Sequence, residues 1–399
     1  MDPIRNPYAP GAGNPPPELA GRADVIGAIE TTLQRVSQKR AVQHPILVGL
    51  RGVGKTVLLV KAREMAETHG HYTIEIEAHE GKSLAELLAP GLRKTLYALS
   101  SIENAKDKAR RGIRVLKSLL SGIKINISGF EIGVDAETGT ADSGDIEADL
   151  PEMIVALGEA ASAAGKSVSL IVDEIQYLSS REFSALIMAL HKANQRSLPL
   201  ALIGAGLPQL LGLAGNSKSY SERLFSYPTI GALTEEDAIT AVVNPSKEEG
   251  VEFLDGAVDL IMRRTECYPY FLQQWAYDSW NVASGHAITE KDVVQATEKS
   301  LVALDESFFK VRFERCTPSE KRYMRALAEH GTGAHRSGDI AEALGMNTTS
   351  AAPTRSNLIK KGMIYSPAYG DTAFTVPLFD EYMRRTIPNL EVKKRQRQP

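Results

Sequence analysis

The residues from 49 to 56 have the types and spacing of a phosphate-binding loop. The pattern G-x-x-x-x-G-K-[ST] is matched by Gly49-Leu50-Arg51-Gly52-Val53-Gly54-Lys55-Thr56. Glycines in such a loop let successive backbone N–H groups surround phosphate oxygens, and the N-terminus of the following helix adds positive potential. Lys55 can neutralise β- and γ-phosphates, and the Thr56 hydroxyl can bind Mg²⁺. We therefore predict a nucleotide site formed by residues 49–56 and the adjoining Val57.

A second reactive pair ends the apolar run Ser167–Val172. Asp173 and Glu174 follow directly, and two carboxylates at the end of a buried strand are costly unless they serve a cation or a proton transfer. We predict that Asp173 holds Mg²⁺ through water and that Glu174 orients or deprotonates the attacking water. The alternative is a solvent-exposed Asp-Glu turn, which the presence of the upstream P-loop disfavours.

The elements that must position these residues alternate between strands and helices. The predicted strands cover 45–48, 72–77, 168–172, 200–204 and 228–230, with helical patterns at 82–99 and 150–164. Such alternation predicts a mostly parallel sheet covered by helices on both faces. Ligands bind at the carboxyl ends of such strands, where residues 49–56 and Asp173 lie. The predicted class is an α/β P-loop NTPase, with the ATPase core over 1–232.

Residues 104–145 interrupt this alternation, and we interpret them as an insertion between the second and third strands. A basic helical segment from Lys106 to Lys117 is followed by a predicted hairpin with its turn near Gly129. Two interpretations stay open here. Loop insertions often carry function, such as a partner or nucleic-acid contact. A basic helix is more often a solvated face.

Residues 233–302 read as a helical lid. Thr234 and Thr289 have the sequence of helix N-caps with acidic first turns. Residues 303–316 are expected to form a linker, and 317–389 a winged helix-turn-helix. Thr317 with Glu320 predicts a capping box. Pro353 places the start of the third helix near Ser350, because proline is harmless only in the first turn.

The last region is mildly basic. Residues 317–389 carry nine Lys and Arg against seven Asp and Glu, and the tail 390–399, expected to be disordered, carries four against one. Winged helices bind either duplex DNA or proteins, so both partner classes stay open.

Composition is that of an ordinary soluble protein. The 399 residues are 43% hydrophobic and 24% charged, with a net charge of −3. No apolar run reaches the length of a membrane span, and no apolar signal segment opens the chain. The two cysteines lack metal-ligand spacing. We expect a cytoplasmic protein with reduced thiols.

Taken together, these motifs resemble the AAA+-like P-loop ATPases near the origin-recognition initiators and the STAND signalling ATPases. The resemblance is to bacterial members that end in a winged helix. It rests on Gly21-Arg22, Gly49–Thr56, Leu170–Glu174, Gly204–Pro208, Glu222–Phe225 and Tyr268–Gln273. It implies that Gly21 and Arg22 line the adenine side and that Arg223 is an arginine finger acting on a neighbouring subunit. It also implies that the helix beginning at Pro269 covers the nucleotide. A salt-bridged surface role for Arg223 stays open.

Two departures from that family matter for rate. The strand after Asp-Glu usually ends in a polar sensor, but this chain has Gly204-Ala205-Gly206. The lid helix offers Tyr268-Pro269-Tyr270, where many relatives carry an arginine. Both departures favour a slow ATPase or a switch over a fast motor.

The predicted function is Mg²⁺-dependent hydrolysis of ATP to ADP and phosphate, coupled through lid and winged helix to DNA or a protein partner. Two alternatives are a nucleotide-gated switch with negligible turnover and a DNA-binding regulator. Kinase and GTPase classes are disfavoured, because the [NT]-K-x-D guanine motif is absent.

Overall fold

The computed structural model describes residues 1–11, 13–79, 81–125, 135–215 and 221–390, without the side chains of 213 and 214. Two predictions lie outside these residues: the hairpin turn near Gly129 and the disordered tail from 391 onward. The chain forms two compact units. The core unit comprises 22–49 and 54–230, and the C-terminal unit comprises 1–21, 50–53 and the chain from 231 onward.

The core unit alternates helices and strands as the sequence predicts. Its elements are α1 (Ala23–Ser37), β1 (His44–Gly49), α2 (Lys55–Thr68), β2 (His71–Glu77), α3 (Leu84–Ser100), α4 (Lys106–Gly122), α5 (Ile146–Ala163), β3 (Ser167–Asp173), α6 (Ser180–Gln195), β4 (Leu200–Gly206), α7 (Leu210–Gly215), α8 (Ser221–Leu224), β5 (Phe225–Ser226) and β6 (Thr229–Ile230). The strands pair in parallel in the order β2-β3-β4-β1-β5, with β6 also pairing β1. Parallel pairing needs crossover connections, which the helices supply.

Helices cover both faces of this sheet. α1 and α2 pack on one face, and α3, α5 and α6 pack on the other. Strands β1, β3 and β4 are buried almost throughout, as expected for a parallel sheet with both faces covered. The predicted class, an α/β P-loop NTPase, is confirmed.

The basic insertion contributes to the core of this unit. One face of α4 is buried against α3 and α5. Its buried apolar residues include Ala109, Ile113, Leu116 and Leu119. On the outer face, Arg111 donates from Nε to Glu137 at 2.8 Å and lies 3.5 Å from Glu159. The segment 104–122 therefore has a packing role, with part of its positive charge paired within the unit.

The C-terminal unit is largely helical. Its elements are α9 (Glu235–Glu248), β7 (Glu252–Phe253), α10 (Asp255–Thr265), α11 (Pro269–Val282), β8 (Ala287–Ile288), α12 (Glu290–Ala303), α13 (Lys310–Glu314), α14 (Pro318–Glu329), β9 (His335–Arg336), α15 (Ser337–Ala343), α16 (Thr348–Lys360), β10 (Ile364–Tyr365), β11 (Asp371–Phe374) and α17 (Phe379–Thr386). Thr234 and Thr289 cap α9 and α12, and Thr317 forms the capping box of α14 with Glu320. Helices α14 to α16 and the antiparallel sheet β10-β11-β9 make the winged helix.

The first residues group with this unit, although the sequence prediction placed them in the ATPase core. Asn6 donates to the Tyr277 carbonyl at 3.0 Å, and the buried Tyr8 donates to the Val242 carbonyl. These bonds tie the Pro-rich N-terminal segment to the lid helices. Local sequence patterns could not predict these hydrogen bonds, since the partners lie more than 230 residues away.

The expected linker 303–316 is helical. A π-helical turn, Leu304–Phe309, continues α12 and leads into α13. Phe309 is fully buried, with ring centroids 5.4 Å from Phe379 and 5.3 Å from Tyr382. Burial of aromatic side chains stabilises helix here. The lid and the winged helix therefore share one aromatic core.

The start predicted for α16 is wrong by one turn. Asn347 is the N-cap, and its side chain accepts from the Ser350 N–H at 2.8 Å. Pro353 thus lies inside the helix, beyond the first turn. The cap on Asn347 and the packing of Leu358 outweigh the missing N–H of one proline.

Candidate functional site

The P-loop joins β1 to α2, as the motif requires. Gly52 and Gly54 have φ of +83° and +94°, in the left-handed region that favours glycine. Gly54 is the N-cap of α2, and a Cβ there would meet no atom within 4 Å. The buried Lys55 donates from Nζ to the Gly49 carbonyl at 2.9 Å, so its ammonium lies across the loop. This is a cradle with backbone N–H groups, a helix N-terminus and one cation.

Thr56 and Asp173 are in direct contact. The Thr56 hydroxyl donates to Asp173 Oδ2 at 2.7 Å. Strand β4 lies between β1 and β3, so the first turn of α2 must cross β4 to bring these residues together. A hydroxyl and a carboxylate are ligands of the kind Mg²⁺ prefers.

The carboxyl of Asp173 lies in a setting that favours a bound cation. Burial raises its pKa above the usual range, and the charge of Glu174 adds to the rise, while hydrogen bonds from Thr56 and the Glu174 backbone oppose it. A divalent cation reverses such a shift. In the described part of the chain, no cluster of three or more His, Cys, Asp or Glu could hold a metal. Mg²⁺ typically takes one or two protein ligands, with water and phosphate oxygens completing the shell. The residues present fit this cation.

Glu174 is held in an unusual backbone conformation. Its φ is +53°, and its N–H donates to Asp173 Oδ1 at 2.7 Å. Its carbonyl accepts from the Tyr177 N–H at 3.0 Å, closing a short 3₁₀ turn. Left-handed backbone at a non-glycine residue is uncommon and concentrates at functional sites. The turn directs the chain away from the strand directly after Asp173.

The tip of the P-loop contacts the lid and the wing within the C-terminal unit. The Tyr268 hydroxyl donates to the Arg51 carbonyl, and the Tyr270 N–H donates to the Gly52 carbonyl at 3.1 Å. The Arg51 N–H donates to the Thr375 carbonyl at 3.4 Å, just after β11. Sequence reasoning missed these contacts, because no local pattern links residues so far apart.

Pro269 is the first residue of α11 and lies between those two tyrosines. A Cβ at Gly52 would meet Tyr268 at 3.1 Å and Tyr270 at 3.2 Å, so glycine is required for this approach as well as for its φ. The lid helix predicted to cover the nucleotide thus begins beside the P-loop tip.

Gly21 and Arg22 precede α1. Gly21 has a φ of +66°, and a Cβ there would meet the Asp237 carboxylate at 2.6 Å. Arg22 is the N-cap of α1. Their predicted contact with adenine stays a prediction.

Arg223 is exposed and lies at the opposite edge of the sheet from the P-loop. It precedes β5, whose Phe225 pairs with His44 at the amino end of β1. Strand β1 has six residues, a span of roughly 17–20 Å. The structure therefore does not bring Arg223 to the P-loop of its own chain.

Helix α16 of the winged helix carries two basic residues, Arg355 and Lys360, and no acidic residue. Its exposed polar residues are Thr348, Thr349, Ser350, Ser356, Asn357 and Lys360. Arg355 is engaged within the domain, where it donates to Thr372 at 2.8 Å and to the Asp371 carbonyl at 2.8 Å. Tyr369, at the tip of the wing, is 99% exposed.

Residues 18–203 match the family model described as an AAA ATPase domain. This match covers most of the core unit, whose fold is that of a P-loop NTPase. Residues 306–383, which include the winged helix, match a domain of unknown function (DUF8462).

The similarity to three known proteins extends beyond residues 18–203. A Walker-type ATPase of Pyrococcus abyssi is 16% identical, with a TM-score of 0.57 over 92% of this chain and 96% of that one. The ORC1 protein of Aeropyrum pernix, solved in complex with DNA, is 14% identical, with a TM-score of 0.49 over 96% of each chain. An uncharacterized HTH-type transcriptional regulator of Methanocaldococcus jannaschii is 20% identical over 345 residues, covering 84% of this chain and 80% of that protein. At 16% identity, the Pyrococcus abyssi structure supports the fold alone.

No helix in the described ranges is both long and apolar enough to cross a membrane.

Proposed function

We propose that this chain binds ATP with Mg²⁺ and hydrolyses it to ADP and phosphate. The observation that supports this best is the 2.7 Å contact between the Thr56 hydroxyl and Asp173. It joins the P-loop to the acidic strand end at the point where one cation can contact both. A bound Mg²⁺ would neutralise charge on the phosphates as it develops.

Each residue has a proposed role. Backbone N–H groups from Gly52 to Thr56 bind phosphate oxygens, and Lys55 moves from the Gly49 carbonyl to the β- and γ-phosphates. Thr56 and Asp173 hold the cation. Glu174 accepts a proton from the attacking water or orients it.

The test compares nucleotide binding with phosphate release in purified full-length protein. We expect Lys55→Ala to lower hydrolysis at least about a hundredfold, because a preorganised charge is lost. We expect Glu174→Gln to keep ATP affinity and to lose about 10²–10⁴-fold in turnover, the usual contribution of a general base. Lys61→Ala is the matched control, since Lys61 is partly exposed on the same helix and pairs with Glu64.

Equal phosphate release by wild type, Lys55→Ala and Glu174→Gln would exclude hydrolysis at this site. Tight ATP binding with a single-turnover rate no faster than that of Glu174→Gln would favour a nucleotide-gated switch instead. The apolar end of β4, Gly204-Ala205-Gly206, is the observation that favours that second function.

We also propose that nucleotide state is passed to the winged helix through the P-loop tip. The loop tip is hydrogen-bonded to Tyr268 and Tyr270 of the lid and to Thr375 of the wing. Movement of the loop around phosphate would therefore displace the lid and the wing. A ligand that favours one loop conformation shifts the population of the attached elements.

Duplex DNA is the proposed partner of the winged helix. Hydroxyl and amide side chains on α16 can contact base edges and phosphates, and Tyr369 extends from the wing. The full chain should then bind duplex more tightly at ~50 mM than at ~200 mM salt, because phosphate contacts release counterions. A winged helix that binds a protein instead would leave the duplex free at both salt concentrations.

A further inference from the structure

The side chain of Gln176 connects the turn after Asp173 to the end of β4. Its amide nitrogen donates to the Glu174 carboxylate, and its amide oxygen accepts from the Leu207 N–H at 2.9 Å. The amide orientation follows from the partners, because a carboxylate only accepts and a backbone N–H only donates. Gln176 thus connects the proposed general base to the segment that follows the central strand β4.

The glycines of β4 make room for this bridge. A Cβ on Gly206 would lie 2.9 Å from Gln176 Oε1, and a Cβ on Gly204 would lie 2.3 Å from Ile175 Cδ1. Both neighbours belong to the turn that carries Glu174. The lack of a side chain at Gly204 and Gly206 is therefore coupled to the position of the turn that carries Gln176.

We propose that Gln176 is a positioning residue for Glu174, and that its amide replaces the polar side chain missing from Gly204-Ala205-Gly206. The proposal rests on the ATP hydrolysis proposed above. The amide fixes the direction of a carboxylate whose own backbone is in the left-handed region. A general base acts only within hydrogen-bond reach of the proton it accepts, so its direction affects turnover more than binding.

The first test separates turnover from affinity. Gln176→Met removes both hydrogen bonds, whereas Gln176→Glu keeps an acceptor for the Leu207 N–H and puts a like charge beside Glu174. We expect both variants to lower the single-turnover rate about 10–100-fold, as for other supporting residues of a reactive group, with the ATP dissociation constant within about threefold. Gln195→Ala, which removes an exposed glutamine of the same unit, should leave both values unchanged.

A substitution at Gly206 tests the bridge while Gln176 itself is kept. Gly206→Ala should displace the Gln176 amide, because the clash is with the mobile end of that side chain. We expect the rate to fall in the same direction as in Gln176→Met.

The double variant Glu174→Gln/Gln176→Met distinguishes positioning from simple support of the fold. If Gln176 acts through Glu174, replacing Gln176 lowers the rate little further once Glu174 is replaced. The coupling is calculated from the single-turnover rates of wild type, the two single variants and the double variant. Additive losses, or wild-type rates in Gln176→Met and Gln176→Glu, would refute the role of Gln176 while leaving the ATPase in place. A wild type no faster than Glu174→Gln would refute the hydrolysis itself, and with it the need for a positioned base.

Discussion

Two buried histidines in the core unit are held in the neutral form. His44 is fully buried at the start of β1, and its Nδ1 accepts from the Leu202 N–H at 3.2 Å. Burial lowers its pKa to about 4. His71 lies 2.8 Å from Ser169 and 2.8 Å from Ser37 through its two ring nitrogens. Burial, with a smaller contribution from His69, lowers its pKa to about 4.

These shifts predict acid sensitivity. In the unfolded chain, both rings take up a proton near pH 6.5, whereas the folded protein keeps them neutral down to about pH 4. The unfolded state therefore binds more protons across this window, and stability falls as pH falls through it. Between pH 6.5 and 5, the loss for His44 alone is about 2 kcal/mol, since one pKa unit corresponds to ~1.4 kcal/mol.

Urea denaturation at pH 7.5 and pH 5 measures this loss. His71→Gln should be less stable at pH 7.5 and should show a smaller difference between the two pH values. His286→Gln, at an exposed histidine, should keep the wild-type difference. A wild type equally stable at both pH values would contradict the neutral burial of these rings.

At the scale of elements, the lid and the wing meet the P-loop through the start of α11 and the end of β11. The π-helical turn Leu304–Phe309 lies beside the same contact, since Phe308 stacks on Tyr270 with ring centroids 4.6 Å apart. Departures from α-helical hydrogen bonding are frequent at functional sites. The loop, the lid and the wing thus form one contiguous set of packed residues in the C-terminal unit.

Tyr268→Phe should weaken the response of the winged helix to nucleotide. It removes only the hydroxyl bonded to the Arg51 carbonyl and keeps the ring packed on Gly52 and Phe271. In wild type, we expect ATP to change amide hydrogen exchange in 363–376. In the variant, that change should fall at least about twofold, because the lost hydrogen bond is worth ~1 kcal/mol.

Tyr277→Phe is the matched control, since it makes the same deletion nine residues further along α11, about 13 Å from Tyr268. Its exchange response to ATP should equal that of wild type. An unchanged response in Tyr268→Phe would show that the hydroxyl does not carry the coupling.

At the scale of the whole molecule, the position of Arg223 bears on whether it could act on the P-loop of its own chain or on that of a second copy. It lies at the amino edge of the sheet, and the P-loop lies at the carboxyl edge. If Arg223 acts as an arginine finger, it therefore serves a second copy of the chain. Such a role would require a head-to-tail assembly, in which one surface of a subunit meets a different surface of the next.

Mixing two inactive variants tests that arrangement. Lys55→Ala disables its own P-loop but keeps Arg223, whereas Arg223→Ala keeps an intact P-loop. If Arg223 acts between subunits, an equimolar mixture should recover about a quarter of wild-type turnover in the presence of ATP, because only one type of neighbour pair is complete. No recovery, or full activity of Arg223→Ala alone, would contradict this role.

Much of the fold could be predicted from local signals. The P-loop pattern, the apolar strand ending in Asp173 and the Thr317–Glu320 capping box each lie within a few residues, and each forms as expected. The predicted start of α16 was wrong. The preference of proline for the first turn of a helix, applied to Pro353, is outweighed by the N-cap at Asn347. The helix α17 was missed, since burial of Phe379 and Tyr382 against the turn at Phe309 stabilises it from a distance.

The sequence by itself determined which chemistry we propose for this protein, because phosphate binding and cation binding need particular residue types at short, fixed spacing. Only the tertiary structure decided which groups these residues meet. The bridge from Gln176 to Glu174, the tyrosines on the P-loop tip and the distance of Arg223 from its own P-loop all arise from strand order and packing. Such contacts join residues that no spacing rule connects.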